Sequence, residues 1–138
     1  MYHGSNIEID AIELEKCLPF KDFGKGFYTS PLKENALQMA KRTARINQKG
    51  TSCVTAFLFD DAFLTDAAFN VKQFSACDKE WAQFVINNIP RHSWRGMLIS
   101  ADVLARELSF RELSRQVSFP FHTEKAIAVL QKIEAYHE

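Results

Sequence analysis

Between Gly24 and Gly50 the chain changes its apolar period twice, which constrains its fold more than any other feature. Phe27–Thr29, set off by the turn Gly24-Lys25-Gly26, reads as a short strand. Ser30-Pro31 then reads as an N-cap followed by proline at the first helical position. The helix it opens has Leu32, Ala36, Leu37, Ala40 and Ala44 on one side and runs to about Lys49, with Gly50 as its stop signal. Val54–Phe59 returns to strand character, backed by Asp60-Asp61. A helical period framed by strands, without a regular βαβ alternation, predicts an α+β fold.

The remaining segments fit that class. Tyr2–His3 is a short strand candidate ended by Gly4-Ser5-Asn6, and Phe69–Phe74 reads as another strand. Asp78 is placed to cap a helix whose Trp81, Phe84, Val85 and Ile89 share one face until Pro90 ends it. Ala101–Leu108 reads as a helix, and Ser109-Phe110-Arg111-Glu112 fits a capping box for a second short one. Gln116–Phe121 reads as a strand, and Thr123 caps a last helix with Ala126, Ile127, Leu130 and Ile133 inward.

No repeat, low-complexity tract or Pro/Gly/Ser linker divides the 138 residues, so residues 1–138 form one domain. Apolar residues at 46% and charged residues at 25% are the mixture of a folded protein rather than a disordered one. A chain of this length buries roughly two-thirds of its unfolded surface and needs no metal or disulfide to hold a core. Most of the 12 phenylalanines belong to that core. Seventeen basic residues balance 17 acidic ones, which excludes the strongly basic footprint of a dedicated nucleic-acid binder. The apolar runs are too short for a membrane span, and Met1–Asp10 is too polar for a signal peptide. The expectation is a cytoplasmic protein with no membrane partner. Cys17, Cys53 and Cys77 are widely spaced, with no CxxC and no histidine at ligand spacing, so they read as free thiols and no metal is expected.

The stretch Phe23-Gly24-Lys25-Gly26-Phe27-Tyr28-Thr29 fails as a dinucleotide fingerprint, because Thr29 holds the third glycine position and no long strand precedes it. It fails as a P-loop too, lacking Gly-Lys-Ser/Thr at the required spacing. Taken alone, Gly24 and Gly26 make a tight turn. Beside the N-terminus it looks different. Tyr2-His3-Gly4-Ser5, followed some twenty residues later by Phe23–Tyr28 and then a helix of small residues, resembles the ADP-ribosyltransferase family, in its diphtheria-toxin-like and poly(ADP-ribose) polymerase branch. It is similar, more closely, to a bacterial family of such domains that begins YHGS, continues DFGKGFYT and later shows KEW-x-x-FV and FHTEKA. Those blocks stand here as Asp22–Thr29, Lys79-Glu80-Trp81 with Phe84-Val85, and Phe121–Ala126.

The resemblance implies two small, mainly antiparallel sheets around an NAD cleft, with flanking helices. It implies that His3 hydrogen-bonds the adenosine ribose, with Ser5 in the same region. The Gly4 backbone would pair with the nicotinamide amide, Gly26 would be among the NAD-contacting residues, and Tyr28 would stack on the nicotinamide ring. The third member of the family's triad is a glutamate opening a late strand. Here Gln116 occupies that slot, and Glu124 is the nearest carboxylate, although it also reads as an acid favoured by a helix N-terminus. A second stacking tyrosine has no equivalent, Met39 standing about where it would be. Lys41, Arg42, Arg45 and Lys49 read as a solvated helix face, with approach to the NAD pyrophosphate or a nucleic-acid acceptor as the alternative.

The implied activity is NAD-dependent mono-ADP-ribosyl transfer to a protein or nucleic-acid acceptor with release of nicotinamide, in the manner of a bacterial toxin or effector that a neutralising partner would restrain. From the binding class, the alternative is a catalytically weak module that holds NAD or an ADP-ribosylated ligand and acts through a partner. A purely structural domain, with Gly24 and Gly26 only making a turn, is the third reading.

Overall fold

A computed structural model of the chain describes residues 1–19, 21, 23–76, 78–88 and 119–138. Within them the elements run β1 (Tyr2–Ser5), β2 (Phe27–Thr29), α1 (Lys33–Asn47), β3 (Cys53–Leu58), α2 (Lys79–Asn88), β4 (Phe119–Phe121), α3 (Glu124–Ile127) and β5 (Gln131–His137), with 3-10 turns at Leu14–Lys16 and Asp61–Leu64. Two small antiparallel sheets result, one ordered β1-β3-β5 and the other β2-β4, so the chain is α+β. The expected helix at Ala101–Leu108, the capping box at Ser109–Glu112, the stop at Ile89-Pro90 and Cys77 lie outside the described residues.

Cys53, Val54, Thr55, Ala56 and Phe57 are all buried, because β3 has a strand on each edge and a packed layer on each face. On one face α1 brings Ala36 and Ala40 against Val54, with Tyr2, Leu37 and Tyr136 around them. On the other, Phe57 joins Phe27 and Phe121 from the second sheet, with Ile127 and Leu130, in the core between the sheets. β2 and β4 pair in the register Phe27↔Phe121, Tyr28↔Pro120 and Thr29↔Phe119.

Helix α1 starts two residues later than Ser30-Pro31 suggests. Ser30 exchanges both backbone groups with Tyr2 (2.7 and 2.8 Å), which holds it extended. Its hydroxyl instead accepts from the Leu32 N–H at 3.1 Å, closing a turn ahead of the helix. At the other end Gln48 takes the left-handed conformation (φ 49°), ahead of Gly50. Asn6 draws the chain out of the helix there, donating to the Lys49 carbonyl at 2.8 Å and accepting from the Thr51 N–H at 3.1 Å.

Both expected caps are present: the Asp78 carboxylate accepts from the Trp81 N–H at 2.9 Å, and the Thr123 hydroxyl from the Ala126 N–H at 3.1 Å. The helix after Thr123 nevertheless stops at Ile127, and Ile133 does not point inward along it. Residues from Gln131 onward pair with β3, whose second edge would otherwise bury unpaired peptide groups. The register skips Ile133 at a bulge opposite Ala56 and Phe57, and its side chain is 61% exposed. Phe69–Phe74 forms no strand either. Its ends are occupied with ring packing, Phe69 edge-on to Phe63 (5.4 Å) and Phe74 against Phe84 (5.3 Å).

Candidate functional site

The site is built where β1 and β2 part. Phe57 donates its N–H to the Met1 carbonyl (2.7 Å), and Tyr2 exchanges bonds with Ser30 on the opposite edge. By antiparallel alternation, His3 and Ser5 therefore turn their backbone groups toward β3, while Tyr2 and Gly4 turn theirs away. Tyr2 and Ser30 form an isolated bridge between the two sheets. The next position in that register sets Gly4 opposite Tyr28, and among the described residues no bridge between the two strands continues there, leaving a gap.

His3 spans the gap with its side chain. Nδ1 lies 2.7 Å from the Tyr28 carbonyl oxygen, which can only accept, so Nδ1 carries the proton. The lone pair of the neutral ring is then at Nε2. The imidazole stacks on Phe27 (4.2 Å between centres, 23° between planes). Burial lowers its pKa to about 4, with the hydrogen bond to Tyr28 opposing and the nearby Lys21 ammonium adding to the shift. His3 is thus a neutral hydrogen-bond acceptor at physiological pH. Ser5 follows on the same face, opposite Cys53.

The side chain that Gly4 lacks has another reason. Tyr2 and Gly4 share the face toward α1, and a Cβ on Gly4 would overlap the Ala36 carbonyl oxygen and stand 2.8 Å from the Ala40 nitrogen. Glycine is required here so that α1 can lie directly on β1, and Gly4 itself is buried.

Tyr28 is anchored through its hydroxyl, which accepts from the Phe23 N–H (3.0 Å) and donates to the Gly24 carbonyl (2.7 Å). The glycine turn is thereby closed onto the residue that follows it. Phe23 packs on Phe74 and Phe84, tying the turn to α2. On its other side sits His122, whose Nδ1–H donates to the Lys25 carbonyl at 2.7 Å and whose ring stands edge-on to Tyr28 with centres 6.3 Å apart. Gly26 is glycine because this ring covers it: a Cβ would come 2.6 Å from His122 Nδ1.

Of the residues singled out in the sequence, His3 and Tyr28 are joined by the bond from Nδ1 to the carbonyl, Gly4 and Ser5 follow His3 on β1, and Gly26 lies against His122 two residues before Tyr28. Glu124 stands elsewhere. It is exposed in the first turn of α3 and lines a cavity of about 280 Å³ with Asp10, Ile12, Phe57 and Lys132, whose lining includes neither His3 nor Tyr28. Gln116 lies outside the described residues. Lys41, Arg42, Arg45 and Lys49 are exposed on α1 or just beyond it, across the sheet from His3, and Lys41 pairs with Glu138 at 3.1 Å. One neighbour of Tyr28 and Gly26 was missed: His122, whose only signal was its place inside the FHTEKA block.

Among the described residues no three His, Cys, Asp or Glu side chains gather as a metal site, and no helix is long and apolar enough to cross a membrane. Cys17 and Cys53 are free thiols.

No curated protein and no solved structure matches the chain. A family model described as "Protein of unknown function (DUF3990)" matches residues 1–95, a stretch that holds β1, the glycine turn, β2, α1, β3 and α2. That match covers well over half of the sequence, and the chain belongs to the DUF3990 family.

Proposed function

We propose that the chain is an NAD-dependent mono-ADP-ribosyltransferase of the diphtheria-toxin-like and poly(ADP-ribose) polymerase branch, with NAD held where β1 and β2 part. The observation that carries this reading is the bond from His3 Nδ1 to the Tyr28 carbonyl, which joins the histidine of β1, one residue before the Gly4 backbone groups that turn away from β3, to the tyrosine of the glycine turn. A strand edge offering one donor and one acceptor matches the carboxamide of nicotinamide, which offers the complementary pair. The Tyr28 ring supplies a stacking face, and its anchored hydroxyl keeps that face from turning away. His3 Nε2, kept unprotonated by burial, accepts from the adenosine ribose hydroxyl.

In this reading the protein loosens the bond between ribose C1′ and nicotinamide by holding both ends of NAD while positive charge develops on the ribose. Fixed dipoles around a developing charge supply most of the acceleration in such sites. Gln116 is the third member proposed to orient the ribose hydroxyl; Glu124 lines the cavity with Asp10 and Lys132, away from His3 and Tyr28. The acceptor is a protein or a nucleic acid.

The test is NAD labelled in its adenylate half, incubated with purified protein and cell lysate, followed by separate protease and nuclease digestion. Transfer of label with matching nicotinamide release supports the reading, and absence of NAD binding in calorimetry ends it. The position of Glu124 also favours a second reading, a weakly active NAD or ADP-ribose binding module that works through a partner. Binding without turnover, even in lysate, would select that one.

A further inference from the structure

We propose that His122 is a second functional histidine of this site, the proton acceptor for a hydroxyl-bearing nucleophile; the inference rests on the NAD site described above. Three contacts fix its imidazole: Nδ1–H on the Lys25 carbonyl, Nδ1 and Cε1 against Gly26, and the perpendicular approach to Tyr28. With the Nδ1 proton committed, the lone pair of the neutral ring is at Nε2, which no described residue engages. His3 has the same arrangement, its Nδ1–H on a carbonyl three residues further along the same segment. Two imidazoles thus flank the Lys25–Tyr28 stretch with their Nε2 atoms uncommitted, but they differ in access. His3 is half-buried and stacked on Phe27, which suits a group that holds the bound nucleotide. His122 is exposed, which suits a group that meets a nucleophile arriving from solvent next to the ring on which nicotinamide would stack.

The step balances without any further reagent. The nucleophile's oxygen forms a bond to ribose C1′ as the bond from C1′ to the nicotinamide nitrogen breaks. The electron pair leaves on that nitrogen, so the pyridinium departs as neutral nicotinamide. The hydroxyl proton passes to His122 Nε2, giving an imidazolium still bonded to Lys25. A carboxylate acceptor has no such proton to give up, so the arrangement selects water or an alcohol group.

The test uses the full chain, NAD as substrate and water as nucleophile, with nicotinamide release as the rate. His122→Asn retains an N–H near the position of Nδ1 and so keeps the bond to Lys25, but has no base. It is expected to bind NAD as tightly as the unaltered protein by calorimetry and to release nicotinamide about a hundredfold more slowly, the low end of what a general base supplies. In His122→Ala, free imidazole is expected to restore part of the lost rate. An unaltered rate in His122→Asn overturns the inference and leaves the NAD site standing. A slow His122→Asn with no imidazole rescue of His122→Ala reduces His122 to a support for the glycine turn and overturns it as well. Failure of the unaltered protein to bind NAD overturns both readings together.

Discussion

The two faces of β1, only four residues long, obey different rules. Toward α1 the contact is one of shape: Tyr2 and Gly4 meet Ala36, Ala40 and Val54, and the helix backbone comes so close that no Cβ fits at position 4. Toward the second sheet the buried groups include polar ones, and each has a partner. His3 donates to Tyr28, the Thr55 hydroxyl accepts from the Ile9 N–H (3.3 Å), and the Thr29 hydroxyl donates to the Phe119 carbonyl (3.1 Å). Among the described residues no buried side-chain polar atom is left unpaired. A face that depends on shape is broken by volume, and one that depends on hydrogen bonds is broken by protonation or by loss of a partner.

The largest expected effect tests the first face. Gly4→Ala forces β1 and α1 apart at their point of closest approach and is expected to cost roughly 3 kcal/mol or more, as severe overpacking does. Urea denaturation measures it. A loss below about 1 kcal/mol would mean that helix and strand can slide, and that the contrast between the faces is weaker than drawn.

On the second face the lever is pH. The folded state holds His3 with a pKa of about 4, below the 6.5 of a free histidine, so between those values the unfolded chain binds more protons. Stability contributed by the neutral ring is therefore fully present above about pH 6.5 and is lost as pH falls toward 4, by about 3 kcal/mol in all. Denaturation measured at pH 7 and pH 4.5, in the unaltered protein and in His3→Asn, isolates the term. Asparagine retains a donor for Tyr28 but does not titrate, so equal pH dependence in both proteins would remove His3 as the cause.

Smaller, and more local, is Tyr28→Phe. Replacing one aromatic ring by another leaves the stacking face in place but removes the bonds to Phe23 and Gly24, at an expected cost of about 1–2 kcal/mol. Thermal unfolding reads the global part, and protease susceptibility around Lys25 reads the loosened turn. No change in either would show that Phe23 packing against Phe74 and Phe84 suffices to hold the turn.

What could be read from the sequence depended on how far apart the interacting residues are. The caps at Asp78 and Thr123 were legible because each bond closes over three residues. Strand β2 and the body of α1 were legible because their periods are visible in consecutive residues. Ser30 was misread as a helix cap because Tyr2, 28 positions away, claims its backbone. Ile133 reads from the sequence as an inward position of the last helix because only the unfilled edge of β3 makes Gln131–His137 a strand. His122 carried no signal beyond its place in the FHTEKA block, since its partner Lys25 lies 97 residues away along the chain.

By itself, then, the amino-acid sequence determined the α+β class, the turn-strand-helix unit from Gly24 to Asn47 in outline, and the set of residues His3, Gly4, Gly26 and Tyr28 worth watching. Only the tertiary structure decided which face of β1 His3 and Gly4 occupy, that Gly4 and Gly26 are glycines to admit α1 and His122, and that Nδ1 of His3 and of His122 is spent on a backbone carbonyl. Turn chemistry and apolar period act within a few residues and survive in any local window. Which carbonyl an imidazole meets depends on the register between strands, and a shift of one residue would turn every one of these side chains to the opposite face.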